Sequence, residues 1–110
     1  MNRENNALIA QFMGVEKGKH THFMVEPFSL ESYDTEDDLK YDISWDWLMP
    51  VVEKIESLRD VNGNAYRFTI DMCNAQIEGT HIEIIGGAYK LNTTYKAVVE
   101  FIKTYNKTKL

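Results

Sequence analysis

The fold is decided by residues 41–58, which read Tyr41-Asp-Ile-Ser-Trp-Asp-Trp-Leu-Met-Pro-Val-Val-Glu-Lys-Ile-Glu-Ser-Leu58. At about 100° per residue, an α-helix places five apolar side chains of this stretch on one face. These are Leu48, Val51, Val52, Ile55 and Leu58. Trp45 and Met49 lie on one flank of this face and Trp47 on the other, so the apolar arc is about 200° wide. A surface helix that packs on a single core needs an arc of only about 100°. We therefore expect a sheet together with a second helix or a second subunit to cover it.

Two starts are open for this helix. Asp42 or Ser44 can serve as the N-cap, because a short oxygen side chain accepts a hydrogen bond from a free backbone N–H. Pro50 then lies in the second turn and kinks the helix, since it lacks an N–H and its ring meets the carbonyl group of Asp46. Alternatively, Pro50 is the first helical residue. Because Trp45 and Leu48 continue the stripe backwards, we predict a kinked helix over residues 43–59.

Composition limits the class of protein. The chain has 110 residues, of which 44% are hydrophobic and 26% charged, and this length and mixture are typical of one globular domain. Its net charge of −5 argues against general nucleic-acid binding, which needs a basic surface. A single cysteine, Cys73, excludes an intramolecular disulfide. No apolar run reaches transmembrane length and no signal peptide is recognisable, so we expect a soluble, cytoplasmic protein.

The first 42 residues are predicted as three segments. Residues 1–14 form a helix with an apolar stripe that ends at Gly14, a residue suited to the position after a helix. Residues 15–27 form a β-hairpin whose turn is Glu16-Lys17-Gly18-Lys19. Residues 28–42 form a surface loop rich in acidic side chains, which lacks the glycine and the spacing of a calcium loop. The acidic cluster consists of Asp34, Glu36, Asp37 and Asp38.

The C-terminal half predicts a β-hairpin over residues 65–86 and a helix over residues 92–106. Apolar and polar residues alternate from Tyr66 onwards, and we expect the first strand to run on to Ile77 with a bend near Asn74. Glu78-Gly79-Thr80 supplies the turn, and a second strand follows to Ile85, whose outward position suggests a covered surface. Asn92 or Thr93 is the expected N-cap of the last helix.

These elements predict one α+β domain over residues 1–110, with a small and mainly antiparallel sheet packed with three helices. The order is helix, hairpin, loop, helix, strand, strand, helix. The last helix also has a wide apolar arc, formed by Leu91, Thr94, Tyr95, Val98, Phe101, Ile102 and Tyr105. With two such helices, the sheet is expected to be covered on both faces, in a layered α/β/α sandwich, or to meet a partner.

Three blocks of the sequence resemble a known family. They are Asn-Ala-Leu-Ile-Ala-Gln-Phe-Met-Gly at residues 6–14, Ser44-Trp-Asp-Trp-Leu-Met-Pro-Val-Val-Glu-Lys-Ile55, and Tyr95-Lys-Ala-Val-Val-Glu-Phe-Ile-Lys103. The chain resembles a set of small proteins without an assigned activity that Bacteroidetes genomes, prophages and phages carry. Its layout also resembles the phage α–β–α (ABA) sandwich domain. The resemblance covers about a third of the chain, excludes residues 20–38, and implies a phage or mobile-element origin in the cytoplasm of a bacterial host.

No catalytic, metal or cofactor site is predicted. His20 and His22 share one face of the predicted hairpin, but nothing in the sequence places His81 beside them to complete a metal site. Cys73 lies on an outward strand face, with no helix N-terminus to lower its pKa. Gly86-Gly87 is not followed by the lysine and serine or threonine of a phosphate loop. We therefore predict that the protein is not an enzyme and holds no cofactor.

Aromatic side chains offer the best candidates for binding. Tyrosine and tryptophan are enriched among the few interface residues that supply most of the binding free energy. They also stack on bases and nucleosides. Core packing is the main competing explanation, and it is stronger for Trp45 than for Trp47, at the edge of the stripe. The predicted binding residues are Trp47, Trp45, Tyr41 and Arg67.

The function predicted from the sequence is binding: a phage or mobile-element accessory protein that contacts a protein partner or itself, with no membrane contact. A first alternative is a protein that sequesters a nucleotide-like signal in an aromatic pocket, with cations supplied by Arg67, Lys40, Lys90 or Lys96. A second alternative is an acidic mimic of nucleic acid, which requires a regular array of surface carboxylates.

Overall fold

The structure, a computed structural model, describes residues 2–17, 32–33, 39–60, 62–71, 74–87 and 89–108. Within these ranges the chain forms three helices, a parallel pair of very short strands and a three-stranded antiparallel sheet. The predicted α+β class is confirmed. The helices are α1 (Asn2–Phe12), α2 (Trp45–Ser57) and α3 (Lys90–Thr108). The strands are β1 (Glu16–Lys17), β2 (Ser32–Tyr33), β3 (Arg67–Ile70), β4 (Ala75–Glu78) and β5 (Glu83–Ile84).

The α1 helix packs against α3 and is held at its C-terminal end by α2. Ile9 and Ala10 are fully buried. The last turn of α1 contains no basic residue, although a cation there would favourably meet the helix dipole. Lys54 of α2 supplies that charge: its Nζ donates to the carbonyl oxygen of Phe12 and lies 4.5 Å from the centroid of the Phe12 ring.

The strand β1 differs from the sequence prediction. Glu16 and Lys17, expected in a hairpin turn, pair in parallel with Ser32 and Tyr33 instead. Parallel strands need a crossover of many residues, so local turn signals do not reveal such a pairing. The rest of the predicted hairpin lies outside the described residues, as do the four acidic residues of the predicted 28–42 loop. The end of that loop enters the core, where Leu39 and Tyr41 are buried.

The central helix α2 follows the predicted stripe. Leu48, Val51, Val52 and Ile55 are buried, and Pro50 lies inside the helix rather than at its first position. Ser44 occupies the N-cap position, but its side chain makes no capping hydrogen bond. The other candidate cap, Asp42, instead accepts hydrogen bonds from Asn2 and Asn6 of α1. The kink expected at Pro50 stays a prediction.

The sheet has the order β3-β4-β5, with both pairs antiparallel. The expected long strand from Tyr66 to Ile77 is wrong, because Ile70 pairs with Ala75 and the chain reverses between them. Asp71 N–H donates to the carbonyl oxygen of Asn74, and aspartate and asparagine both favour turns. The turn predicted at Glu78-Gly79-Thr80 is present, and Gly79 adopts a φ of 93°.

The two faces of the sheet differ in burial. Phe68, Ala75, Ile77 and Ile84 pack in the hydrophobic core with the helices, and Ala75 and Ile77 are fully buried. Alternate residues on the opposite face are all exposed: Arg67, Thr69, Gln76, Glu78 and Glu83. The described residues therefore form two layers, with helices on one face of the sheet and water on the other. Ile85, expected beneath a cover, is 68% exposed.

The free edge of β3 is covered by a side chain of α2. A Glu56 oxygen accepts a hydrogen bond from the backbone N–H of Phe68 at 3.1 Å. This contact satisfies a donor that an edge strand would otherwise leave to solvent.

The α3 helix lies at the centre of the molecule, in contact with α1, α2, β4 and β5. It begins at Lys90, and the predicted caps Asn92 and Thr93 lie inside it. The prediction of a cap fails at Thr93 because its hydroxyl donates to the carbonyl oxygen of Tyr89, 2.7 Å away, instead of accepting from an N–H.

One buried polar network joins α1, the turn before α2, and α3. Tyr95 Oη donates to Asn6 Oδ1 at 2.9 Å, and Asn6 Nδ2 donates to Asp42 Oδ1 at 3.0 Å. Asn6 Nδ2 also lies 3.3 Å from the carbonyl oxygen of Leu39. Because each partner comes from a different part of the chain, this network fixes how the three segments meet.

Candidate functional site

Two of the predicted binding residues belong to the core. Tyr41 is only 4% exposed, and its ring meets the half-buried ring of Trp47 edge-to-face, with 5.3 Å between centroids and 87° between planes. Such aromatic pairs contribute about 0.5–1.5 kcal/mol beyond the area that they bury. Tyr41 thus packs against the Trp47 side of α2, and Trp47 remains partly accessible.

The opposite side of α2 is exposed. Trp45 and Met49 each retain 36% of their accessible surface, and Ile43, in the turn before the helix, retains 66%. Residues four apart on a helix are neighbours, so Trp45 and Met49 present one continuous apolar stripe. We refer to Ile43, Trp45 and Met49 as the α2 surface.

Acidic side chains border the α2 surface. At about 100° per residue, Asp46 and Glu53 fall next to Met49 on the helix circumference, and both are exposed. The surface therefore combines an apolar centre with a negatively charged rim, in a chain whose net charge is already −5.

Arg67, the fourth predicted residue, lies elsewhere. It is exposed on the outer face of the sheet, opposite Glu78 of β4, whereas Tyr41 and Trp47 pack on each other beside α2. The structure therefore brings Tyr41 and Trp47 together but does not add Arg67 to them.

A second candidate site is a groove between the β4–β5 turn and α3, with a volume of about 360 Å³. This volume is within the range of small-molecule sites, about 300–1,000 Å³. We call it the aromatic groove. Its lining residues are Tyr66, Gly79, Thr80, His81, Ile82, Phe101, Thr104 and Tyr105.

Three rings of the groove are packed in two orientations. Phe101 and Tyr105 are four residues apart on α3 and stack, with 5.6 Å between centroids and 17° between planes. Tyr66 stands across them, 5.0 Å from Phe101 at 75°. A Cβ atom at Gly79 would lie 3.3 Å from the Tyr66 ring, so the glycine allows the turn to approach this ring closely.

The groove is lined mainly by uncharged side chains. None of its lining residues is lysine or arginine, and His81 at its rim is exposed. Burial raises the pKa of Tyr66 above its ordinary value, and the negative charge of Asp60 and the hydroxyl of Tyr105 raise it further. The Asp60 carboxylate thus acts electrostatically on the phenol of Tyr66, which lines the groove.

The cations proposed for a nucleotide ligand do not converge on this groove. Arg67, Lys40, Lys90 and Lys96 are exposed, and none of them is a lining residue. The lining of the groove therefore lacks the cations that phosphate groups need.

The structure gives no metal centre within its described ranges, where no group of three histidine, cysteine, aspartate or glutamate side chains is placed to hold a metal ion. His20, His22 and Cys73 lie outside those ranges. His81, which the sequence left unplaced, is at the rim of the aromatic groove.

Comparison with protein-family models, with curated proteins and with solved structures finds no match to this chain. None of the helices in the described part of the chain combines the length and the apolar character needed to cross a membrane.

The aromatic groove is a site that sequence reasoning missed. The sequence pattern predicts Tyr66 on a strand and Phe101 and Tyr105 on the last helix, far from Tyr66 along the chain. One local signal was available: Phe101 and Tyr105 are aromatic residues at i and i+4 on one helix face. Only the packing of α3 on the sheet brings Tyr66 to them.

Proposed function

We propose that this protein acts by binding another protein through the α2 surface, and that it is not an enzyme. The observation that supports this proposal is the exposure of Trp45, Met49 and Ile43 beside a fully buried stripe on the same helix. Tryptophan and methionine are enriched at the centres of protein interfaces. An exposed tryptophan beside two other large apolar side chains is costly to leave in water and is typical of a contact site.

The acidic rim favours a partner of a different kind over a second copy of the chain. A twofold dimer formed through the α2 surface would bring the Asp46 and Glu53 side chains of two copies close together. Like charges facing each other across an interface disfavour association. A partner with an apolar pocket and a basic rim fits both the centre of the surface and its border.

The biological setting of the proposal comes from the sequence blocks described above. Their resemblance to proteins of phages and prophages supports an accessory role in a mobile element, and the single cysteine fits a reducing cytoplasm. The nucleotide-sequestering alternative is less well supported, because none of its four candidate cations lines the aromatic groove. The acidic-mimic alternative requires a carboxylate array, whereas the exposed sheet face mixes Arg67 with Glu78 and Glu83.

The first experiment measures self-association. Light scattering coupled to size exclusion is expected to give a monomer at micromolar concentration, for the wild type and for Trp45→Ser alike. A stable dimer that Trp45→Ser dissociates would show that the α2 surface binds a second copy, contrary to the charge argument.

The second experiment identifies and tests the partner. Proteins retained from a bacterial host lysate by the wild type, but lost with Trp45→Ser and with the charge reversals Asp46→Lys and Glu53→Lys, are purified and titrated by calorimetry. We expect micromolar or tighter binding that weakens with salt, as contacts between opposite charges do. Ile85→Ser is the matched control, because it removes an apolar side chain of high exposure at a different place. Equal loss of binding in this control, or binding insensitive to all three α2 variants, would refute the proposal.

A further inference from the structure

We propose that the aromatic groove is a separate binding site for an organic cation that carries a methylated or quaternary ammonium group. The proposal goes beyond the protein–protein contact at the α2 surface, because the groove lies between the β4–β5 turn and α3 and shares no residue with that surface.

The first support is the arrangement of the rings. Tyr66 stands at 75° to Phe101, and Tyr105 stacks on Phe101, so rings of two orientations border the same space. A cation is attracted to the negative face of an aromatic ring within about 6 Å of its centroid. Sites for quaternary ammonium groups are built from several aromatic rings, because such a group has no N–H to donate and depends on contact with ring faces.

The second support is charge. The groove has no lysine or arginine among its lining residues, and the carboxylate of Asp60 acts on the hydroxyl of Tyr66 at its side. A phosphate or carboxylate ligand would find no lysine or arginine among the lining residues, whereas a cation would be attracted by the Asp60 charge. The net charge of −5 adds to the same preference.

The third support is that the residues lining the groove are held in place by hydrogen bonds and packing. The β4–β5 turn that carries Gly79 and His81 is fixed by Thr80, whose Oγ1 donates to the carbonyl oxygen of Ile77 at 2.7 Å and accepts from the N–H of Ile82 at 3.0 Å. Phe101 is almost completely buried. A groove whose walls are held in this way loses little freedom when a ligand binds.

The decisive experiment compares choline with 3,3-dimethyl-1-butanol, its neutral isostere, in which carbon replaces the ammonium nitrogen. Both are titrated into ¹⁵N-labelled wild-type protein and followed by two-dimensional NMR. We expect choline to bind with a millimolar or tighter Kd, at least tenfold tighter than the alcohol, and to shift the amide signals of Gly79, Thr80 and Ile82. Equal affinity for both, or absence of binding up to about 50 mM choline, would overturn the proposal. Shifts confined to residues outside the groove would also overturn it.

Two variants test the named groups. Tyr66→Leu removes a ring and is expected to weaken choline binding at least tenfold, with Tyr89→Leu as the control because Tyr89 is 63% exposed outside the groove. Asp60→Asn removes a charge while keeping the oxygen that accepts from the N–H groups of Asn62 and Asn64, so the turn is retained. It is expected to weaken choline severalfold and to leave the alcohol unchanged. Choline affinity unaltered in both folded variants refutes the site.

The cation has two potential sources, a free small molecule or a methylated lysine of a protein. Titration of a trimethyl-lysine peptide and its unmethylated counterpart distinguishes them. Binding of the methylated peptide at least tenfold tighter than choline indicates a protein side chain, and the reverse order indicates a free metabolite. Adenosine monophosphate serves as the anionic control, and tighter binding of this nucleotide than of choline would contradict the charge preference.

Discussion

Two adjacent threonines of α3, Thr93 and Thr94, are fully buried and differ in what their hydroxyl groups contact. Thr93 Oγ1 donates to the carbonyl oxygen of Tyr89 at 2.7 Å. Thr94 Oγ1 has no hydrogen-bond partner in the part of the chain that the structure describes. Leaving a buried polar group unsatisfied costs about 1–3 kcal/mol, so the two positions should respond in opposite directions to the same substitution.

Valine replaces threonine with nearly the same shape and without the hydroxyl. We expect Thr94→Val to increase the free energy of unfolding by about 1 kcal/mol, because it removes an unpaired polar group from the core. Thr93→Val should lower it by about 1 kcal/mol, because it loses a hydrogen bond. Urea unfolding of the two variants and the wild type measures both changes. Shifts of the same sign would show that the Thr94 hydroxyl is satisfied.

Tyr95 makes stability depend on alkaline pH. Burial raises the pKa of its hydroxyl, and the negative charge of Asp42 raises it further, above the ordinary value of 10.0. The folded state then holds this proton where the unfolded state has released it. The resulting stabilisation is fully present below pH 10 and is lost as the pH rises towards the folded-state pKa. The pKa of Tyr66 is raised too, and acts in the same direction.

We therefore expect the free energy of unfolding, measured in urea from pH 8 to pH 11.5, to fall above about pH 10. Tyr95→Phe should be less stable at pH 8 by about 1 kcal/mol, because Asn6 loses its donor, and should show a shallower fall. Tyr89→Phe, at an exposed tyrosine, is the control and should follow the wild type. An equally steep fall in Tyr95→Phe would exclude Tyr95 as the cause.

At the scale of the element, the two tryptophans of α2 have different roles. The ring of Trp47 packs edge-to-face on Tyr41 in the core, whereas Trp45 is partly exposed on the α2 surface. We expect Trp47→Ala to reduce the free energy of unfolding by about 3 kcal/mol, the lower end for a buried aromatic ring. Trp45→Ala should reduce it by less than about 1.5 kcal/mol.

Chemical unfolding followed by far-ultraviolet circular dichroism measures both tryptophan variants, because this signal reports mainly on the backbone. Tyr41→Leu provides a matched test of the aromatic pair, because it removes the partner ring and should destabilise the protein to a similar degree as Trp47→Ala. A larger decrease in the free energy of unfolding for Trp45→Ala than for Trp47→Ala would show that Trp45, and not Trp47, is the core residue.

At the scale of the whole molecule, α3 joins all the major parts. It contacts α1, α2 and two strands, and its buried side chains belong to one hydrophobic cluster with those of the sheet and of α2. A single contiguous core in a domain of this size is expected to unfold in one cooperative transition. A substitution that destabilises the sheet should therefore lower the unfolding midpoint of α2 by the same amount.

Ile77→Ala tests this coupling. Ile77 lies on β4 and is fully buried, and its truncation should lower the free energy of unfolding by about 2–5 kcal/mol. We expect tryptophan fluorescence, which reports on α2, and far-ultraviolet circular dichroism to shift to the same new midpoint. Thr69→Ala, on the exposed face of the neighbouring strand, is the control and should move neither by much. Separate midpoints for the two signals would show that the sheet and the helices unfold independently.

The sequence alone determined the local features of this protein. The α+β class, the buried stripe of α2, the position of Pro50 within that helix, and the turn at Glu78-Gly79-Thr80 follow from periodicity and from the conformational preferences of single residues. These signals are local because each depends on side chains separated by a few positions.

Only the tertiary structure decided which residues meet across long stretches of chain. The parallel pairing of Glu16 with Ser32, the burial of Tyr41 against Trp47, and the meeting of Tyr66 with Phe101 arise from packing. The same apolar stripe supplies both buried Leu48 and exposed Met49, because periodicity gives the width of an arc but not the extent of the surface that covers it. The α2 surface lies where the cover of that stripe ends, and the aromatic groove lies where rings from distant segments converge. The sequence could therefore suggest the residue types of these two sites but not their positions.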